Sequence, residues 1–238
     1  MNTDLASVTE LDRHVGRLRV EIDRLGIAGD TILVFSSDNG PEDFAIGNAS
    51  NAGLGSPGPF RGRKRSLYEG GVRVPFIAAW PGRIPAGKSD DSTIMSGVDL
   101  MPTLAHLAGI PCDAPSIDGE DLSPAMRGER VTRRRPLHWE WFFEVVGNPA
   151  YFAPPLALRD GPWKFYCDYS GGSVQLYDLT ADPAERTELS SRYPEVVERL
   201  RAASLAWAKS LPQAELRDAV ANGADRMKLL DIRQRQKK

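Results

Sequence analysis

Two stretches of this 238-residue chain carry residue types that can do chemistry. The first is Ser36-Ser37-Asp38-Asn39-Gly40, where a carboxylate and an amide oxygen stand side by side. Hard cations such as calcium and magnesium select oxygen donors of this kind. Asn-Gly is also a strong turn signal, and aspartate is common before it. The dipeptide alone leaves a cation site and a plain turn both open. The second stretch is Arg61-Gly62-Arg63-Lys64-Arg65-Ser66-Leu67-Tyr68-Glu69-Gly70-Gly71-Val72-Arg73-Val74-Pro75. A lysine delivered near a bound metal is what an anionic tetrahedral ester needs as charge develops on its oxygens. Without context, the same basic run reads as a solvated face or a weak polyanion patch.

Together the two stretches resemble the second half of a sulfatase, in the group that includes arylsulfatases and N-acetylgalactosamine-6-sulfatase. Ser37-Asp38-Asn39-Gly40 fits the family's T-S-D-N-G, and residues 61–75 fit R-G-G-K-x-x-x-[YW]-E-G-G-x-R-V-P, with Arg63 and Arg65 replacing small residues around Lys64. The stretches DLMPTLAHLAGIP, IDGEDLSPAMRGE, LRDGPWKFY and QLYDLTADPAERTEL follow in family order, so the resemblance covers essentially the whole chain. It implies a calcium-assisted formylglycine mechanism of sulfate-ester hydrolysis on an aryl sulfate or sulfated sugar. Asp38 and Asn39 match two of the family's four protein ligands for one calcium, or magnesium. Lys64 matches the lysine that contacts the sulfate group.

The family's other metal ligands and its nucleophile lie upstream of these motifs. Formylglycine is made from the Cys or Ser of C/S-x-P-x-R, and no position qualifies here. Cys112 has its proline one place late, Cys167 is followed by Asp-Tyr-Ser, and Ser210-Leu211-Pro212 has Ala214 where arginine is required. The chain therefore reads as the carboxyl-terminal part of a sulfatase without the nucleophile. Two alternatives stand beside it. A non-catalytic remnant that binds sulfated glycans would keep Lys64 and the basic run. A phosphohydrolase of the related alkaline-phosphatase group would place histidine where Asn39 stands, and an amide oxygen suits calcium better than zinc.

The elements that must position these residues follow from periodicity. Leu5, Val8, Leu11, Val15, Leu18, Ile22 and Leu25 recur every three or four residues, predicting a helix over 4–25 with Thr3 as cap, Gly26 as terminator and one apolar stripe packed on a sheet. His14 falls on its polar flank. Thr31–Phe35 reads as a strand buried on both faces of a parallel sheet, which puts Asp38–Asn39 at its carboxyl end, where open α/β sheets bind ligands. Val74–Trp80 and Thr93–Val98 are the other strand candidates. So few strands make a poor doubly covered sheet, and exposed sheet edges are expected.

Residues 41–59 form a Gly/Asn/Ser/Pro-rich loop, which the sulfatase resemblance implies borders the substrate; Glu42 and Asp43 could support the Asp38–Asn39 pair, but solvent exposure is the expected reading. Gly70 and Gly71 are expected to supply unusual backbone angles, and Glu69 to hold an arginine. Asp99 caps a short helix that ends at Gly109 and contains His106. Arg127–Arg135 reads as an exposed basic linker. Beyond it Leu137–Phe143, Leu156–Arg159, Trp163–Tyr166 and Val174–Tyr177 read as short strands, and Pro194–Lys209 as a helix. Trp139, Trp141, Phe142 and Phe143 are expected in the core, and 226–238 as a mobile basic tail.

The expected fold is α/β: part of an alkaline-phosphatase-like α/β/α domain over 1–130, then a small α+β subdomain with an antiparallel sheet over 131–238. Composition agrees with a globular chain, at 41% hydrophobic and 26% charged. A net charge of −2 gives no reason to expect a nucleic-acid partner. No apolar run is long enough for a membrane span, and Met1–Gly16 has no secretory-signal pattern, although the family is often periplasmic, secreted or lysosomal. Two well-separated cysteines, Cys112 and Cys167, read as buried free thiols.

Overall fold

A computed structural model describes residues 3–43, 55–112, 117–141 and 148–211. They form two compact units. The first runs to Ser37 and resumes from Pro75 to Arg135; the second takes Asp38–Val74 and everything from Pro136 onward. No helix is long and apolar enough to cross a membrane among the described residues.

In the first unit, α1 (Thr3–Arg24) ends where expected, with Gly26 in the left-handed region at φ 69°. Its stripe is not packed: Val8, Leu11, Leu18 and Leu25 are exposed, and Val15 and Ile22 only half-buried. His14 sits in solvent 3.5 Å from Glu10. The expected parallel, doubly buried strand is corrected. β1 (Leu33–Ser36) pairs antiparallel with β2 (Phe76–Ala79), Ser36 opposite Phe76, and none of β1 is fully buried. An apolar run by itself fixes neither the direction of its neighbour nor how much of the strand is covered.

Thr93–Val98 is not a strand. The Asp90 carboxylate accepts from the backbone N–H groups of Ser92 and Thr93, and Ser96 and Asp99 form a capping box around a short 3-10 turn. These side chains take donors that a sheet ladder would need. Two helices follow, α3 (Leu100–Leu107) and α4 (Ser123–Met126), and Gly109 closes α3 at φ 71°. His106 is not a packing residue; it lies at the surface 3.1 Å from Asp121. Nor is Arg127–Arg135 simply a linker, because the Arg133 side chain is only 5% exposed and donates to the fully buried Asp99 carboxylate at 2.6 Å.

The second unit holds α2 (Glu69–Val72) and four strands, β3 (Leu137–Glu140), β4 (Leu156–Asp160), β5 (Trp163–Cys167) and β6 (Gln175–Asp178), in an antiparallel meander with that order. Asp160-Gly161 makes the β4–β5 turn, with Gly161 at φ 54°. The alternation along the strands loads both faces. Leu156, Leu158, Phe165, Cys167 and Leu176 pack with Val197 and Leu200 of α5 (Pro194–Ser210). Ala157, Tyr166 and Tyr177 pack on the other side with Leu67 and Tyr68, joined by Trp139 and Trp141. Phe142, Phe143 and the 226–238 tail lie outside the described residues.

Both cysteines are free, Cys167 buried and Cys112 half-buried. Burial, together with the Asp168 charge, pushes the Cys167 thiol up to about 11. Since the thiolate is the nucleophile, iodoacetamide at mildly alkaline pH is expected to modify Cys112 in the native chain and Cys167 only after unfolding. Intact mass after timed quenching checks this; rapid double modification without denaturant would count against the buried position.

Candidate functional site

Asp38 and Asn39 are followed by a segment threaded against residues 61–71 of the same unit. Gly40 N–H donates to the Gly71 carbonyl at 2.9 Å, and Lys64 N–H donates to the Pro41 carbonyl at 2.9 Å. Gly70 N–H donates to Arg61 O at 2.6 Å, closing the loop that carries Lys64. The structure thus ties the Asp38–Asn39 stretch and the Lys64 stretch together by backbone hydrogen bonds.

The glycines make that approach possible, by a mechanism other than the expected one. Gly70 and Gly71 have ordinary helical angles. What they supply is space. A Cβ on Gly70 would lie 2.5 Å from the Arg61 carbonyl oxygen, and one on Gly71 would lie 2.5 Å from that of Arg63. A Cβ on Gly40 would overlap the Gly70 carbonyl oxygen outright. Of Gly40, Gly62, Gly70 and Gly71, Gly62 has the left-handed conformation, at φ 82°.

At the site itself, the Asp38 side chain is exposed and Asn39 is half-buried. The Asn39 amide nitrogen donates to Gly40 O at 2.9 Å, which makes the amide oxygen the atom it can offer a cation. One carboxylate and one amide oxygen fit calcium or magnesium as two donors, while calcium takes six to eight. Among the described residues no cluster of three or more His, Cys, Asp or Glu forms a metal site.

The basic run is not a solvated face, and Glu42 and Asp43 are not in solvent. The Asp43 residue is buried, and the Glu42 side chain is only 12% exposed. Glu42 forms a two-point ion pair with Arg65 and lies 3.7 Å from the Lys64 ammonium. Arg63 is buried and donates to the carbonyls of Glu42 and Gly55 at 2.6 and 2.7 Å. Hydrogen bonds from Arg65 hold the Glu42 carboxyl below its usual value, against the opposing pull of partial burial. Lys64 keeps the most exposed of these cationic side chains, at 37%.

Glu69, together with Lys164 and Glu185, which the sequence did not single out, holds this loop on the sheet. Glu69 is buried and meets Lys164 at 2.9 Å, with Arg73 and Arg159 at 3.7 and 3.9 Å; its main partner is a lysine, not the expected arginine. Lys164 and Arg159 are register partners on β5 and β4. The Lys164 ammonium also lies 4.5 Å from the Trp139 ring centre. Glu185 accepts from Glu69 N–H at 2.7 Å and from the Tyr166 hydroxyl. Tyr68 donates to Gln175 at 2.8 Å, Ser66 donates to Tyr151 O at 2.6 Å, and Arg61 covers the Tyr68 ring at 3.8 Å.

Burial raises Glu185 above the usual carboxylate range even though Lys164 and two hydrogen bonds oppose it. Burial pushes Glu69 the same way, but Lys164 and the two arginines outweigh it and leave that carboxyl low. The arrangement is a loop on which Lys64 is more exposed than Arg63 and Arg65, set on a buried charged support and bonded to the segment that follows a pair of oxygen donors. It can bind an anion and contribute to holding a hard cation.

The chain matches the family model described as Sulfatase over residues 1–110, and that described as N-sulphoglucosamine sulphohydrolase, C-terminal, over residues 60–208. It is 38% identical to arylsulfatase A of Bos taurus over 178 residues, covering 75% of this chain and 32% of the relative. It is 45% identical to N-acetylgalactosamine-6-sulfatase of Sus scrofa over 219 residues, covering 84% and 41%. A solved structure in complex with its substrate D-glucosamine-2-N,6-O-disulfate superposes with a TM-score of 0.63 at 25% identity, covering 87% of this chain and 40% of that one. The chain spans about a third to two fifths of the length of these relatives.

Proposed function

Because this chain belongs to the sulfatase family and shares its alkaline-phosphatase-like α/β fold, we propose that it supplies the metal-binding pair and the sulfate contact of a sulfate-ester hydrolase. Asp38 and Asn39 would hold calcium, or magnesium, through the carboxylate and the amide oxygen. Bound there, the cation supplies Lewis-acid polarisation of the sulfate oxygens. Lys64 places its ammonium on the anionic group and needs no rearrangement of the loop to do so, since that loop is already fixed on the sheet. The observation that carries this reading is the glycine-lined backbone ladder joining residues 40–41 to 64 and 71. The substrate would be an aryl sulfate or a sulfated sugar.

No C/S-x-P-x-R occurs in the sequence, so the family's formylglycine nucleophile is not among these residues. That observation favours, for the chain by itself, binding of sulfate esters or sulfated glycans without turnover. Calorimetry with phenyl sulfate is the test. Lys64→Ala is expected to weaken binding about tenfold, the order of a charge-assisted contact. With two protein donors, calcium is expected to bind no tighter than about 0.1–1 mM, the range of weak modules. Phenyl sulfate binding that ignores Lys64→Ala would sink the anion assignment. Micromolar calcium affinity that survives Asp38→Ala would place the metal elsewhere.

A further inference from the structure

We propose that Glu42 is a specificity-determining residue: it sets the net charge of the anion-contact loop and restricts it to ligands bearing a single sulfate group. This rests on the reading of Lys64 as the sulfate contact. Three consecutive cations converge on Glu42. Arg63 donates to its carbonyl at 2.6 Å, Arg65 grips both carboxylate oxygens, and the Lys64 ammonium lies 3.7 Å away. Asp43 is buried beside it in the chain. Within residues 42–43 and 63–65, three cations face two carboxylates, leaving one net positive charge.

The three cations are not equivalent. Arg63 is buried on backbone carbonyls. Arg65 stands at φ 72°, a left-handed conformation that a non-glycine residue keeps only when its surroundings over-determine it, and the Glu42 pair does this. Lys64 holds the loosest contact and the most exposure, so it is the cation a ligand recruits. One sulfate ester brings one negative charge and matches the surplus. A second sulfate nearby meets the Glu42 carboxylate while Arg63 and Arg65 are already engaged, and like charges repel.

The test is calorimetric titration of the full chain with phenyl sulfate and with catechol disulfate at low ionic strength. Glu42→Gln is expected to shift preference toward the disulfate by about tenfold, the order of one unscreened unit charge at a few ångströms. Glu42→Gln/Arg65→Gln restores the original net charge and is expected to restore the original preference, which a merely structural role for Glu42 would not do. Should Glu42→Gln not fold, Arg65→Gln reads the same balance with opposite sign, weakening both ligands and the disulfate more. An unchanged preference in Glu42→Gln, with Lys64→Ala still weakening phenyl sulfate, overturns the proposal alone. Absent phenyl sulfate binding, or indifference to Lys64→Ala, overturns the site reading and this proposal with it.

Discussion

Lys164→Met is expected to destabilise the second unit by about 3–5 kcal/mol, the cost of leaving one member of a buried ion pair alone. Lys164 is fully buried, its ammonium 2.9 Å from Glu69, and Glu69 in turn has its backbone N–H on Glu185. Removing the lysine leaves the Glu69 carboxylate in a low-dielectric site with only the longer contacts to Arg73 and Arg159. Urea unfolding followed by tryptophan fluorescence measures the loss. A cost below about 1 kcal/mol, the level of an exposed pair, would refute the support role. The pair bears on the proposed sulfate contact because Glu69 sits five residues past Lys64, on the loop's return to the sheet.

The sign of the pH dependence gives a second readout. Glu69 is held below its usual value, so its contribution is present above the unfolded-state pKa and is lost as pH falls through the lower folded value. In Lys164→Met the main opposing charge is gone and burial dominates, which favours the protonated carboxyl. The stability gap between wild type and variant is therefore expected to narrow as pH falls through the carboxylate range. Glu185, raised by burial, acts in the opposite sense: what it contributes is present in acid and is lost as pH rises through its folded value.

The carboxyl-terminal sheet was legible because turn residues bracket each short run. Leu156–Arg159, Trp163–Tyr166 and Val174–Tyr177 differ from β4, β5 and β6 by a residue or so at their ends. Strand direction was not legible, since Thr31–Phe35 has the same composition whether its neighbour runs parallel or antiparallel. Thr93–Val98 failed for a local reason: aspartate and serine side chains occupy its backbone donors. Lys164 carried a usable signal, a lysine between Trp163 and Phe165 in a run buried on both faces, because lysine is almost never fully buried unless paired. Its partner stands 95 residues earlier, and no local pattern connects them. Asp38, Asn39 and Lys64 were singled out through a resemblance to a family and remain proposed site residues, whereas Glu42 was misread as solvated because its burial comes from Arg65 across a loop.

Gly40→Ala is expected to cost about 3 kcal/mol or more, at the upper end for overpacking, and to abolish the anion site with it. The new Cβ would overlap the Gly70 carbonyl oxygen and lie 2.9 Å from Gly70 C and 3.1 Å from Gly71 Cα. All three are backbone atoms, so no side-chain rotation relieves the clash. The two segments must part, which breaks the bond from Gly40 N–H to Gly71 O and strains the neighbouring bond from Lys64 N–H to Pro41 O. Those two bonds are the backbone ties between the segment after Asp38–Asn39 and the lysine, so stability and phenyl sulfate binding should fall together. Gly16→Ala is the matched control: it lies within α1 with nothing within 4 Å of the new Cβ, and is expected to stabilise its helix by about 1 kcal/mol. If Gly40→Ala unfolds at the wild-type urea midpoint and still binds phenyl sulfate, the two segments do not depend on this contact. The glycine would then be there for the turn alone.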